Sequence, residues 1–237
     1  MNIADLKVKI FADGADLAGL VSLAREPWVK GFTTNPTLMA KAGVADYHAF
    51  ARDVLRAVSD RPISFEVFSD DFTEMERQAR EIASWGDNVY VKIPVTNTRG
   101  DSSAALVRTL SHAGIKVNVT AIMTLEQVNE VACAVAGGAS SCISVFAGRI
   151  ADTGRDPVPH MARALELIAR APRAELVWAS PRELLNIFQA DRIGCHIITV
   201  TADILRKIPF IGRDLAEFSL DTVKMFYDDG RRVSFSL

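Results

Sequence analysis

The chain has 237 residues, 49% of them hydrophobic and 24% charged, and its 27 Lys and Arg against 29 Asp and Glu leave a net charge of −2. This composition excludes a disordered or fibrous chain, and basic residues that are scattered rather than clustered argue against a nucleic-acid partner. A chain of this length buries about 70% of its unfolded surface on folding, enough to build a core without disulfides or a structural metal.

Short β-branched runs alternate with longer amphipathic segments from end to end. In chain order the predicted strands are 7–13, 31–34, 62–68, 89–94, 115–121, 142–146, 175–180 and 196–201. The segments between them carry apolar residues at i, i+3, i+4 and i+7, as at Tyr47, Phe50, Ala51 and Val54, with charges on the other face. That spacing predicts helices covering a parallel sheet. Asp46, Asp70 or Asp71, Thr124 and Ser180 stand where helix N-caps belong. Eight strand-helix repeats without a linker predict one α/β domain over residues 1–237, a closed (β/α)8 TIM barrel. A doubly wound open sheet is the alternative, but no strand is followed by the G-x-G-x-x-G turn of that fold. Past the eighth strand, Leu215, Phe218, Val223 and Phe226 share one side of a further helix, so residues 211–237 read as a C-terminal helix and tail. This helix would cap the barrel or pack on a neighbouring subunit.

The three cysteines, Cys133, Cys142 and Cys195, show no C-x-x-C spacing and read as reduced core thiols of a cytoplasmic protein. Asp5, Lys7 and Lys9 occupy the stretch where an export signal would be apolar. The charge-free stretch 131–148 has Gly137-Gly138-Ala139-Ser140-Ser141 at its centre, which suits a helix end and a loop rather than a membrane span.

Strands of a parallel barrel are buried on both faces, so polar residues late in them are informative. Lys7, Lys9, Lys116 and Glu175 sit at strand beginnings, where solvent satisfies them. Towards the carboxyl ends stand Asp13, Thr34, Asn35, Glu66, Lys92, Asn118, Thr120, Ser144, Ser180, Thr199 and Thr201. Side chains alternate with period two, so Lys92 shares a face with Tyr90, Glu66 with Ser64, and Asn118 with Thr120. If these faces point inward, the polar groups converge at the C-terminal mouth, where barrel enzymes place their active sites.

Lys92, inside Val-Tyr-Val-Lys-Ile-Pro, supports two readings. One is a buried ion pair with Glu66 or Asp13. The other is an amine freed by desolvation to attack a carbonyl, with the two carboxylates moving protons through water. A Schiff-base lysine with acids, amides and hydroxyls around it points to carbon–carbon chemistry on a polyhydroxylated carbonyl compound. The protonated imine is then the electron sink, and neither metal nor cofactor is expected. His48, His112, His160 and His196 lie far apart without metal-ligand spacing and read as structural. Ser144, Arg149, Ser180 and Arg182 form an edge suited to a phosphate.

Four motifs, Gly31-Phe-Thr-Thr-Asn-Pro-Thr37, Val91-Lys-Ile-Pro-Val-Thr96, Asn118-Val-Thr120 and Ser144-Val-Phe-Ala-Gly-Arg-Ile150, together resemble the transaldolase family in kind and order. The resemblance runs from Asp13 to about Thr201. It implies that Lys92 forms a Schiff base with a ketose phosphate, that Glu66, Thr120 and Asp13 handle protons through water, and that Thr34, Asn35 and Asn118 face substrate hydroxyls. It further implies transfer of a dihydroxyacetone unit to an aldose phosphate, with the phosphate held by Ser144, Arg149, Ser180 and Arg182. The related fructose-6-phosphate aldolases carry a tyrosine where this chain has Phe146 and usually Gln where it has Glu66, which tilts the expectation towards transfer. The chain departs from the family pattern at Gly14, where a hydroxyl residue is common, and in the spacing around Ala179-Ser180-Pro181-Arg182. Compact forms of the family assemble as pentamers or decamers, so a homo-oligomer is expected, without a membrane or nucleic-acid partner. The competing readings are an aldolase that releases free dihydroxyacetone and a barrel that binds sugar phosphate without turnover.

Overall fold

The computed structural model of the chain describes residues 3–233. Eight parallel strands close into a barrel in chain order, the eighth pairing with the first. They are β1 (Lys9–Asp13), β2 (Val29–Thr33), β3 (Ile63–Glu66), β4 (Val89–Pro94), β5 (Val117–Ile122), β6 (Ser141–Val145), β7 (Ala174–Trp178) and β8 (Ile197–Thr201). The helices are α1 (Leu17–Leu23), α2 (Pro36–Lys41), α3 (Tyr47–Ala57), α4 (Phe72–Ala83), α5 (Ala104–His112), α6 (Leu125–Val135), α7 (Ala147–Asp152), α8 (Pro157–Ile168), α9 (Leu185–Arg192), α10 (Ala202–Leu205) and α11 (Leu215–Arg232). The predicted TIM barrel with an extra C-terminal helix is thus the observed fold. The expected tail beyond residue 233 lies outside the described residues.

Side-chain caps start seven of the eleven helices among the described residues. Asp46 accepts from the Ala49 N–H, Asp71 from the Glu74 N–H, and Thr124 with Gln127 forms a capping box on α6. Of the two candidates before α4, Asp71 caps it, while Asp70 accepts from the Thr98 N–H and hydroxyl. Ser180 is a correction: α9 begins only at Leu185, and Ser180 lies in the left-handed region at φ 59°. Its hydroxyl accepts from Arg182 instead of capping a helix. β1 starts at Lys9 rather than residue 7 because Asp191 Oδ1 accepts the N–H groups of Lys7 and Val8 at 2.7 and 3.0 Å. Those donors are then lost to a neighbouring strand.

Outward strand residues such as Phe32, Ile63, Phe65, Ile143, Leu176 and Trp178 are fully buried beneath the helices. The barrel interior is layered differently. Phe11, Tyr90, Cys142, Val177 and Ile197 form a small apolar plug inside it. Gly31 makes room for this plug, since a Cβ there would lie 2.5–2.7 Å from three ring carbons of Phe11. Below the plug, Lys9 and Glu175 do not rely on solvent alone but pair with each other at 2.5 Å. Above it every strand except β7 turns a polar side chain inward: Asp13, Thr33, Glu66, Lys92, Asn118, Ser144 and Thr199. Cys142 and Cys195 are buried core thiols as expected, whereas Cys133 is only partly buried. No helix among the described residues is long and apolar enough to cross a membrane.

Candidate active site

A cavity of about 600 Å³ opens at the C-terminal mouth of the barrel. Strand register builds its floor: Glu66 stands opposite Lys92 across β3 and β4, Lys92 opposite Asn118 across β4 and β5, and Asp13 opposite Thr33 across β1 and β2. Lys92 is 6% exposed at the centre. Its Nζ donates to the Thr34 carbonyl at 2.8 Å and lies 3.2 Å from Glu66 Oε2. The ion pair foreseen as one of two readings is therefore direct, not water-bridged. It coexists with an open cavity above the amine. Tyr47, on α3, fixes the Glu66 backbone from behind, donating to its carbonyl and accepting from its N–H.

Asp13 sits beside this pair. Burial pushes its carboxyl above the ordinary aspartate range, with the Lys92 ammonium and the Thr33 hydroxyl opposing part of that push. A hydroxyl chain supports it: Thr33 donates to Asp13 Oδ1 at 2.7 Å and pairs at 2.5 Å with Thr199. Asn35 lines the cavity while its Oδ1 caps α2 through the Leu38 N–H. Opposite, Ser144 donates to Asn118 Oδ1 at 2.7 Å and Asn118 Nδ2 donates to Ser64 at 3.0 Å. One amide hydrogen of Asn118 is left for the cavity. Thr120 lines the wall just before Ala121, whose φ of 61° accompanies a register break in β5.

Two side chains differ from expectation. Thr34 points away from the cavity and donates to the Ser64 carbonyl, so its contribution is the backbone oxygen that holds Lys92. Thr33 takes the inward place, a choice that the inward position of Gly31 and strict alternation from it could have indicated. Ser144 belongs to the Asn118 chain on the floor rather than standing free at the rim. Thr33, Ser64 and Tyr47 were not among the predicted site residues.

At the rim, Phe146, Arg149, Ser180 and Arg182 all line the cavity. The Arg149 guanidinium carbon lies 5.8 Å from the centre of the Phe146 ring and, among the described residues, has no ion pair. Arg182 pairs with Asp152 at the end of α7. The whole arrangement supplies one buried amine, the carboxylates of Asp13 and Glu66 beside it and of Asp203 on α10, amide and hydroxyl donors, and two rim arginines. Among the described residues no group of three or more His, Cys, Asp or Glu side chains is placed to hold a metal ion.

A sequence profile of the transaldolase/fructose-6-phosphate aldolase family matches residues 10–236. The chain belongs to this family. It is 32% identical over 218 residues to a "Probable transaldolase" of Methanococcus maripaludis, covering 90% of this chain and 97% of that one. It is 37% identical over 194 residues to a "Probable transaldolase" of Streptococcus agalactiae, covering 81% and 86%. Among solved structures, an HpcH/Hpal aldolase/citrate lyase family protein from Burkholderia cenocepacia superposes over 97% of both chains with TM-score 0.56 at 14% identity. Dihydrodipicolinate synthase from Rhodopseudomonas palustris superposes over 93% of this chain and 80% of its own with TM-score 0.53 at 14% identity. These two likenesses concern the barrel fold. Family membership makes the chain an aldolase or transferase by class.

Proposed function

We propose that the protein is a transaldolase that moves a dihydroxyacetone unit from a ketose phosphate to an aldose phosphate through a Schiff base on Lys92. The observation that carries this reading is the Lys92 amine, 6% exposed, oriented by the Thr34 carbonyl and Glu66 beneath an open cavity lined by Asp13, Asn35, Asn118 and Thr120. The amine adds to the ketose carbonyl, and loss of water from the carbinolamine leaves an iminium. A base removes the proton of the C4 hydroxyl, the C3–C4 bond breaks, and its electron pair moves into the iminium to give an enamine. The aldehyde product leaves, the acceptor aldehyde takes its place, and the enamine carbon attacks its carbonyl. Hydrolysis then returns the free lysine.

Asp13, whose carboxyl burial biases towards the protonated form, is assigned to proton exchange with the substrate hydroxyls, and Glu66 with Thr120 to the water steps. Asn35 and Asn118 bind hydroxyls. Arg149 and Arg182, with Ser180 behind Arg182, face the phosphate. Phe146 has no hydroxyl to protonate the enamine, which favours transfer over release of free dihydroxyacetone. We read the whole chain as one catalytic unit acting in the cytoplasm as a homo-oligomer, with α11 as its contact element.

Intact mass measurement after incubation with fructose 6-phosphate and borohydride tests the assignment. The expected result is a three-carbon adduct on Lys92 that declines when erythrose 4-phosphate is added. An adduct indifferent to acceptor, with free dihydroxyacetone accumulating, would establish the aldolase reading. No adduct with any ketose phosphate would leave only a binding protein.

A further inference from the structure

Arg182 lines the same rim as Arg149, yet its guanidinium is already engaged. Nε donates to Asp152 Oδ1 at 2.8 Å, Nη2 donates to Asp152 Oδ2, and Nη1 donates to the Ser180 carbonyl and hydroxyl at 3.2 and 3.0 Å. The base of the side chain is fixed too, because the Arg182 N–H donates at 2.7 Å to Asn186, a buried residue tied in turn to Gln189. The pair joins two strand-helix units that are pressed together: a Cβ on Gly148 would fall 1.6 Å from the Ser180 carbonyl oxygen. Asp152 is the last residue of α7, where the helix dipole disfavours an anion. Its place there is not explained by helix stability. It also stands outside the cavity lining, whereas Arg149 and Arg182 are part of it.

We propose that Asp152 is a specificity-determining residue that acts through Arg182, a latch whose carboxylate competes with the phosphate group of the substrate for the guanidinium fork. Carboxylate and phosphate seek the same pair of parallel N–H donors, and the Nε–Nη2 edge serves one of them at a time. The Asp152 charge also repels a phosphate dianion held by Arg149. The latch therefore weakens binding of phosphorylated sugars relative to unphosphorylated sugars of the same skeleton, and leaves the chemistry at Lys92 untouched. Arg182 holds the Asp152 carboxyl below the usual carboxylate range, so the latch stays charged at neutral pH. Side-chain exposures of 44% and 52% keep the effect modest and sensitive to salt. This inference rests on the proposal that the Arg149–Arg182 rim takes the phosphate.

The test is calorimetric binding of inorganic phosphate to the full chain, alongside steady-state kinetics with fructose 6-phosphate. Asp152→Asn is expected to tighten phosphate binding and lower KM for fructose 6-phosphate by about two- to fivefold, with kcat within about twofold. KM for unphosphorylated glyceraldehyde as acceptor should not move, and the gain should shrink as salt is added. Asp152→Glu, which keeps the charge, should restore the wild-type value. Arg182→Gln is the control for the rim itself and should weaken phosphate binding. If Arg182→Gln weakens binding while Asp152→Asn leaves it unchanged or weakens it as well, the latch is wrong and Asp152 merely orients Arg182. If neither variant alters phosphate binding, both the latch and the assignment of the rim fail, irrespective of Schiff-base trapping at Lys92.

Discussion

Lys92 and Glu66 show how one contact can serve stability and chemistry together. A lysine 6% exposed would be costly without a partner, and the carboxylate at 3.2 Å supplies one while leaving the amine open to the cavity. Lys92→Ala should lower transfer by at least about three orders of magnitude, since the nucleophile is lost, but it also strands Glu66. Lys92→Arg separates the two effects: it retains a cation beside Glu66 yet offers no amine that attacks a carbonyl. We expect it to be equally inactive and to melt closer to the wild type than Lys92→Ala. Turnover by either variant above about a hundredth of wild type would remove Lys92 from the mechanism. Phe146→Tyr places a phenol at the cavity rim, and the ratio of dihydroxyacetone release to transfer should rise at least severalfold. An unchanged ratio would show that this position does not separate the two reactions.

Strands and their junctions set which residues enter the site. Alternation of side chains along β3, β4 and β5 made Glu66, Lys92 and Asn118 legible as one inward-facing group, since each sits in a run of unmistakable period. At β2 the paired threonines defeated this reasoning. Thr33 faces inward and Thr34 outward, and the strand extends back to Val29, whose pairing with Ile10 only the closed sheet reveals. The β7–β8 junction carries a pH dependence of its own. His196 Nδ1 accepts from the Leu176 N–H at 3.1 Å, which requires the neutral ring, and burial lowers its affinity for protons, with Glu175 opposing. The unfolded chain takes up this proton near pH 6.5, before the folded one does, so the stabilisation is complete above about pH 6.5 and is lost as the pH falls towards the folded value. The melting temperature should therefore drop between pH 7.5 and 5.5, and the drop should be smaller in His196→Asn. Parallel declines in the two proteins would assign the effect elsewhere, for example to His160, which burial shifts in the same direction.

For the molecule as a whole, α11 is the element out of balance. It has a proper N-cap at Asp214, yet none of its residues is buried, and Leu215, Leu220, Val223, Phe226 and Tyr227 are between 53% and 80% exposed. Exposed apolar faces of this kind are characteristic of protein contacts, and the proposed homo-oligomer would cover this one. Light scattering should accordingly give a mass several times that of one chain. Replacing Val223 and Phe226 with Glu should lower that mass without unfolding the barrel, whose core does not include α11. A monomer at micromolar concentration with α11 intact would overturn the oligomer reading.

The barrel follows from local patterning alone, because eight alternations of period-two and period-3.6 segments admit few other architectures, and the same patterning singles out Lys92, because a lysine in an apolar strand has few neutral explanations. The sequence also marks Asp13, Glu66 and Asn118 as polar groups late in strands and Arg149 as part of a phosphate-suited edge. The partnerships emerge only in the folded chain: Lys92 with the Thr34 carbonyl, Thr33 rather than Thr34 at Asp13, Ser144 with Asn118, and Asp152 on Arg182. Periodicity reports which face a side chain occupies, a local property of the chain. Hydrogen-bond partners depend on register across the closed sheet and on the approach of loops distant in sequence, which no local pattern encodes.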